Sequence, residues 1–194
     1  MCTSKWGDGV LPTAQDQIAQ LHTQVRWLQA HEEVRGRIYA CARALDRLDR
    51  ALLEAQFWPD AVVDYGAFYQ GPVAGFFDTA LRFQGAMRDT QHLIGNILIT
   101  LSEDRARVES YVQANHTILE GSDLIQLVVG ARYLDEFQSR DGVWKLSYRT
   151  EVMDWGRRLL VMEPWFEEAR ELPKGLRDNQ DLSYRFPPAL QPRK

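Results

Sequence analysis

The sequence predicts an α+β fold in which helices pack on one face of a twisted antiparallel sheet, and three observations carry that expectation. Apolar residues recur at spacings of three and four through residues 14–56 and 73–84, the period of an amphipathic helix. Alternation with a period of two takes over from residue 89 to about residue 155, as along strands whose two faces differ. Between two of those β-rich segments stands Asp141-Gly142, a hairpin signal because both residues of a tight primed turn must accept positive φ. Helices first and strands afterwards place the helices together on one side of the sheet.

In order, the chain opens on a Gly- and Pro-containing leader, residues 1–12, expected to be flexible. Thr13 caps a helix expected over residues 14–30, with Ile18, Leu21, Val25 and Leu28 as a packing stripe. A second helix is expected over residues 32–56, where Val34, Ile38, Cys41, Leu45, Leu48 and Leu52 form the buried face. Tyr39 and Asp46 lie two turns apart beside that face, so the carboxylate borders the core. Pro59 ends the helical region, and residues 61–65 read as a short strand leading to turns at Gly66 and Gly71-Pro72. A third helix over residues 73–84 carries Phe76, Phe77, Ala80, Leu81 and Phe83, a set suited to walling an apolar cavity.

The remainder reads as sheet. Over residues 89–100, alternation sets His92, Ile94, Asn96 and Leu98 against Gln91, Leu93, Ile97 and Ile99. Residues 105–118 place His116 on an apolar face with Val108, Val112 and Ala114. Long strands over residues 124–137 and 143–155 complete the sheet, with Gly121 and Gly130 as turn and bulge positions. On the last strand Trp144, Leu146, Tyr148 and Val152 share one face, while Lys145, Ser147, Arg149 and Glu151 share the other. One domain over residues 13–160 follows. Residues 161–194 form an extension, with helix near residues 165–170, expected to lie across the body or across a neighbouring subunit.

A chain of 194 residues can bury a sizeable core without disulfides. The net charge of −4, with both signs interspersed, argues against a nucleic-acid groove and against attraction to an anionic membrane. Cys2 and Cys41 are the only cysteines, which points to a reducing, cytoplasmic setting. The first residues lack the apolar run of a signal peptide, and no stretch nears the ~18 apolar residues of a spanning helix.

Metal-ligand spacings such as Cys-x-x-Cys and His-Glu-x-x-His do not occur, nor does a Gly-rich nucleotide loop or a Gly-x-Ser-x-Gly elbow. No metal is expected. What remains is an acid/base pair. His92 enters a strand amid apolar residues, and imidazole suits proton transfer near neutral pH. Asp46 can orient it, since a carboxylate bonded to one ring nitrogen fixes the tautomer and leaves the other nitrogen as base. Pattern alone leaves structural readings open. Arg43 and Arg50 flank Asp46 at helical spacing, so a solvated ion pair worth under ~1 kcal/mol also accounts for it. His92 and His116 can be core histidines, and His22 and His31 surface ones. Arg149, Glu151 and Asp154 can form an ion-pair ladder, and Trp144, Trp155 and Trp165 are apolar mass.

Five pieces recur in a familiar order and spacing: Ala44-Leu45-Asp46-Arg47, Trp58-Pro59-Asp60-Ala61-Val62-Val63-Asp64, Tyr69-Gln70-Gly71-Pro72, Thr90-Gln91-His92-Leu93-Ile94-Gly95-Asn96 and residues 137–149. With them the chain resembles SnoaL-like proteins of the nuclear transport factor 2-like superfamily over about residues 32–155. It is most similar to the branch holding hexachlorocyclohexane dehydrochlorinase and, more remotely, scytalone dehydratase and bile-acid dehydratase. The resemblance implies a cone-shaped, curved antiparallel sheet enclosing a pocket, with the helices on its concave face. It also implies a cofactor-independent lyase whose aspartate and histidine match Asp46 and His92. Arg149 matches the arginine after the hairpin, and His116 corresponds to a second histidine of scytalone dehydratase. Five residues before the aspartate, where the dehydrochlorinase has a lysine and bile-acid dehydratase a tyrosine, this chain has Cys41. The group assisting departure is therefore altered, with Tyr39 as a substitute.

The expected reaction is elimination: His92 takes a proton from a carbon or hydroxyl, and water, halide or formaldehyde departs. Arg149, Asn96 or a tyrosine stabilises the developing charge. Tyr65, Phe76, Phe77 and Trp155 would wall a pocket for a small hydrophobic substrate, aromatic or polycyclic. The same fold also serves as a non-catalytic binding module, as the small subunit of ring-hydroxylating dioxygenases, and as ketosteroid isomerase, so fold alone does not decide. A homo-oligomer is expected, with a trimer favoured.

Overall fold

The structure is a computed structural model that describes residues 13–162, 168 and 171–184. The leader and most of the helix expected near residues 165–170 lie outside the described residues. Helix α1, Ala14–Arg47, begins at a capping box in which Thr13 and Asp16 satisfy each other's backbone N–H groups. Two helices were expected here, but α1 runs through residue 31 because neither Gly nor Pro stands at the expected junction, residues 28–34, and it continues through Gly36. The break falls instead at Leu48, whose left-handed backbone (φ 54°) lets its N–H close on the carbonyls of Ala44 and Leu45. Asp49 then caps the short α2, Arg50–Glu54. The stripe of Ile18, Leu21, Val25 and Leu28, expected to pack, is exposed; the buried face of α1 starts at Val34.

The sheet has six strands: β1 (Phe57–Asp64), β2 (Gln70–Pro72), β3 (Asp89–Leu101), β4 (Arg105–Glu120), β5 (Asp123–Arg140) and β6 (Val143–Leu160). Their order is β2-β1-β6-β5-β4-β3, antiparallel except that β1 runs parallel to β6. Helix α3, Val73–Gly85, leads from β2 into β3. The β5–β6 turn is the expected Asp141-Gly142 pair, both residues at positive φ (53° and 80°). Helix α1 packs against β3 and β6, and α3 against β1 and β2. Between helices and sheet, Val34, Ile38, Leu45, Phe57, Val63, Phe76, Phe137 and Leu146 form one core.

Three bulges change which residues face that core. In β3 the register slips between Ile94 and Ile97, so Ile97 and Ile99 join His92 and Ile94 inside while Asn96 and Leu98 turn outward and are exposed. In β6, Phe137 opposes Leu146 but Glu136 opposes Tyr148, which leaves Ser147 as the extra residue. Arg149 therefore lies on the inner face with Trp144 and Leu146, contrary to simple alternation. A third slip, at the expected Gly130, places Asp154 as the extra residue. Met153 keeps the inner face of Arg149, and Trp155 consequently lies over Gly130 on the outer face.

Residues 171–184 lie against the ends of α1 and α3. Arg47 donates to the Leu176 carbonyl, Arg43 to the Ser183 hydroxyl and stacks on Tyr184, whose own hydroxyl donates to Asp49. Among the described residues no helix is long and apolar enough to cross a membrane.

Candidate active site

Asp46, in the last turn of α1, lies over the start of β3. That strand is at the sheet edge, so backbone N–H groups pointing away from β4 need other acceptors. Asp46 supplies one. Its carboxylate accepts the backbone N–H of His92 at 3.0 Å (Oδ2) and the Thr90 hydroxyl at 3.2 Å (Oδ1). It also holds His92 Nδ1 at 2.7 Å. A carboxylate acceptor assigns the hydrogen to Nδ1 and leaves Nε2 as the lone-pair nitrogen. The His92 side chain is 4 % exposed and that of Asp46 13 %. Arg177, from the C-terminal segment, donates to the carbonyls of Asp46, Gln84 and Met87 at 3.2, 2.8 and 2.8 Å. It thereby ties the ends of α1 and α3 beside β3. Burial pushes its guanidinium below the ordinary value.

The His92 ring lines a cavity of about 250 Å³ between α3 and the sheet. Leu45, Tyr65, Phe68, Phe76, Ala80 and Phe83 form the helix side, and Ala114, Leu127, Val129, Tyr133 and Met153 the sheet side. Polar groups are few: His92, His116, Gln84, Glu151 and the hydroxyls of Tyr65 and Tyr133. The two imidazoles stand edge to face with centroids 5.5 Å apart. Burial, then the charge of His92, lowers His116 to about 4, so it is neutral at physiological pH. Its Nδ1, the Tyr65 hydroxyl and Gln84 Oε1 are buried without a hydrogen-bond partner among the described residues. Burial raises the carboxyl of Glu151 above its usual range, with the charges of His92 and Arg149 opposing. Among the described residues no cluster of three or more His, Cys, Asp or Glu side chains is gathered to hold a metal ion.

A family model described as the SnoaL-like domain matches residues 26–150, most of the chain. The chain belongs to the SnoaL-like domain family. No curated protein matches it. Among solved structures, LinA is 22% identical with a TM-score of 0.64, covering 70% of this chain and 93% of its own. The hexachlorocyclohexane dehydrochlorinase LinA-type3 from Novosphingobium barchaimii is 20% identical with a TM-score of 0.60, covering 70% and 94%. A scytalone dehydratase-like protein from Novosphingobium aromaticivorans is 24% identical with a TM-score of 0.63, covering 72% and 93%. At these identities the likeness is one of fold.

Within this SnoaL-like domain the structure gathers His92, His116, Tyr65 and Phe76 in the cavity, with Asp46 behind His92. It does not gather the others. Arg149 is buried behind the wall, bonded to Asp135 through Nε and Nη2 at 2.7 Å each, with its guanidinium 4.2 Å from the centroid of the Tyr133 ring. It braces the aromatic wall instead of entering the cavity. Cys41 is a core residue, its thiol pushed up to about 12 by burial. Phe77 packs on Phe57 at 5.6 Å, below the cavity floor. Tyr39 is 47 % exposed in a shallow groove on the far side of Asp46 and His92. Asn96 and Trp155 are carried outward by the bulges. Arg50, offered as an ion partner of Asp46, pairs with Glu54 and Asp78 instead.

Sequence reasoning missed Glu151, Met153, Tyr133 and Arg177. Glu151 and Met153 were misplaced because a period of two was carried through a bulge. Tyr133 alternates with inward Ala131 and was findable from the β5 pattern. No local signal marks Arg177.

Proposed function

We propose that the protein is a cofactor-independent lyase acting on a small hydrophobic, aromatic or polycyclic substrate, with His92 as general base oriented by Asp46. The observation that carries this reading is the 2.7 Å Asp46–His92 contact at the wall of an apolar cavity. An imidazole base must offer a free ring nitrogen before the step and be stabilised as a cation after it; the carboxylate on Nδ1 fixes the tautomer that leaves Nε2 free and stabilises the imidazolium. The fold shared with dehydrochlorinase and dehydratase-like structures supports the same class of chemistry. Arg149 acts in this reading through Tyr133 and Tyr65, as a positioning residue.

Incubation of the protein in deuterated water with a panel of hydroxylated and halogenated bicyclic ketones, followed by NMR, tests the base. Turnover or carbon-bound exchange by the wild type is expected to fall at least about a hundredfold in His92→Ala and tenfold or more in Asp46→Asn. Activity retained in His92→Ala would overturn the assignment. A second reading, isomerisation, is favoured by a carboxylate and a phenol in the same cavity, Glu151 and Tyr65; a product that keeps every atom of the substrate would select it. Recovery with a stoichiometric iron-sulfur subunit, and no turnover, would select the structural-subunit role.

A further inference from the structure

We propose that Glu151 sets the substrate class of this cavity, accepting a hydrogen bond from a hydroxyl group on an uncharged apolar molecule and excluding anions. The proposal rests on the cavity being the substrate site, and it specifies what that site takes. The Ser147 bulge turns Glu151 from the outer face into the cavity wall, on an interior strand separated from the His92 strand by β5 and β4. Among the described residues no donor reaches its carboxylate. Nearby, the Tyr65 hydroxyl, Gln84 Oε1 and His116 Nδ1 are buried without partners among the described residues. Buried polar groups rarely go unpaired, because each unmade bond costs roughly 1–3 kcal/mol. These three buried groups, with the part-buried Glu151 carboxylate, are partners for a ligand's polar edge, and two of the four, Glu151 and Gln84 Oε1, only accept.

Charge narrows the class. Around Glu151 stand His92 from β3, Tyr65 from the β1–β2 turn, Tyr133 from β5 and Arg149 from β6. Arg149 is bonded twice to Asp135 and His92 is paired with Asp46, so their charges are largely matched elsewhere and offset Glu151 only in part. An entering carboxylate, phosphate or sulfonate would face a like charge in a poorly hydrated space, where repulsion is strong. A departing halide ion would meet the same obstacle. An ammonium group would suit Glu151, but it would oppose the imidazolium that forms on His92. A neutral hydroxyl satisfies the acceptors without either conflict.

Isothermal titration with three probes of one shape, 2-naphthol, 2-naphthalenesulfonate and 2-naphthylmethylammonium, tests this without any turnover. A failed lyase reading therefore leaves the result interpretable, and a failed Glu151 reading leaves the base assignment standing. The wild type is expected to bind 2-naphthol at least about tenfold more tightly than either ion. Glu151→Gln should narrow the naphthol–sulfonate gap to about threefold or less, mainly by tightening sulfonate, and Glu151→Asp should keep it. Thermal melting of both variants confirms folding; should Glu151→Gln not fold, the wild type across pH serves instead, sulfonate tightening as Glu151 is protonated. An unchanged gap in Glu151→Gln, a wild type that prefers sulfonate or ammonium, or no naphthol binding would each overturn the proposal.

Discussion

His116 combines two properties that pull against each other: its ring is almost fully buried, and its Nδ1 has no hydrogen-bond partner among the described residues. The unfolded chain binds a proton at an ordinary imidazole, near about 6.5, whereas the folded chain does so only at about 4. Between those values the unfolded state holds more protons, so stability present above the unfolded value is lost as pH falls through this window. The loss is expected to reach no more than about 3 kcal/mol by pH 4. His116→Phe should remove that share of the acid limb, and urea unfolding across this range in both proteins measures it; parallel profiles would refute it. His116 was readable from alternation alone, because β4 carries no bulge there. The contact between Asp46 and His92 was not, since the residues between them include a helix break, two helices and two strands. Residue chemistry offered the pair as one reading among several, and likeness to a family favoured it.

At the scale of elements, the sequence was legible wherever geometry is local. Asp141-Gly142, the capping Thr13 and the aromatic face of α3 each carry their own signal within a few residues. Bulges carry little, because the extra residue is defined by register against a partner strand. One slip, at Ser147, separates an Arg149 on a solvated ladder from an Arg149 locked to Asp135 beneath Tyr133. That lock has an energetic consequence. Removing one member of a buried ion pair strands the other's charge and costs about 3–5 kcal/mol, while replacing both with apolar residues of similar volume is near neutral or better. Asp135→Asn is therefore expected to lower unfolding free energy by that amount, and Asp135→Leu with Arg149→Met to recover most of it. Denaturant titration of the three variants decides the matter: a single-variant loss below about 1 kcal/mol would mean that the pair does not brace the wall.

Across the whole molecule, one part stands apart from the packing that explains the rest. Residues 14–29 of α1 are exposed throughout, yet Ile18, Leu21, Val25 and Leu28 form a continuous apolar stripe. A helical arm of this length gains little stability in water without a partner surface. The stripe follows a three-four-three spacing, with β-branched Ile18 and Val25 alternating with Leu21 and Leu28, the pattern that favours two strands in a parallel coiled coil. The flanking positions Gln17, His22, Gln24 and Gln29 are not acidic or basic in a way that would repel an identical arm near neutral pH. A second copy of this chain is thus the expected occupant, which makes a pair of arms a rival to the trimer that the family resemblance leads one to expect. Size-exclusion chromatography with light scattering should give twice the chain mass, falling to the monomer in Leu21→Glu with Leu28→Glu while the melting temperature of the body holds. Three times the chain mass, unmoved by the same substitutions, would instead assign association to the outer sheet face, where Leu93, Leu98 and Tyr111 are exposed. A monomer at every concentration would mean that the arm awaits some other partner.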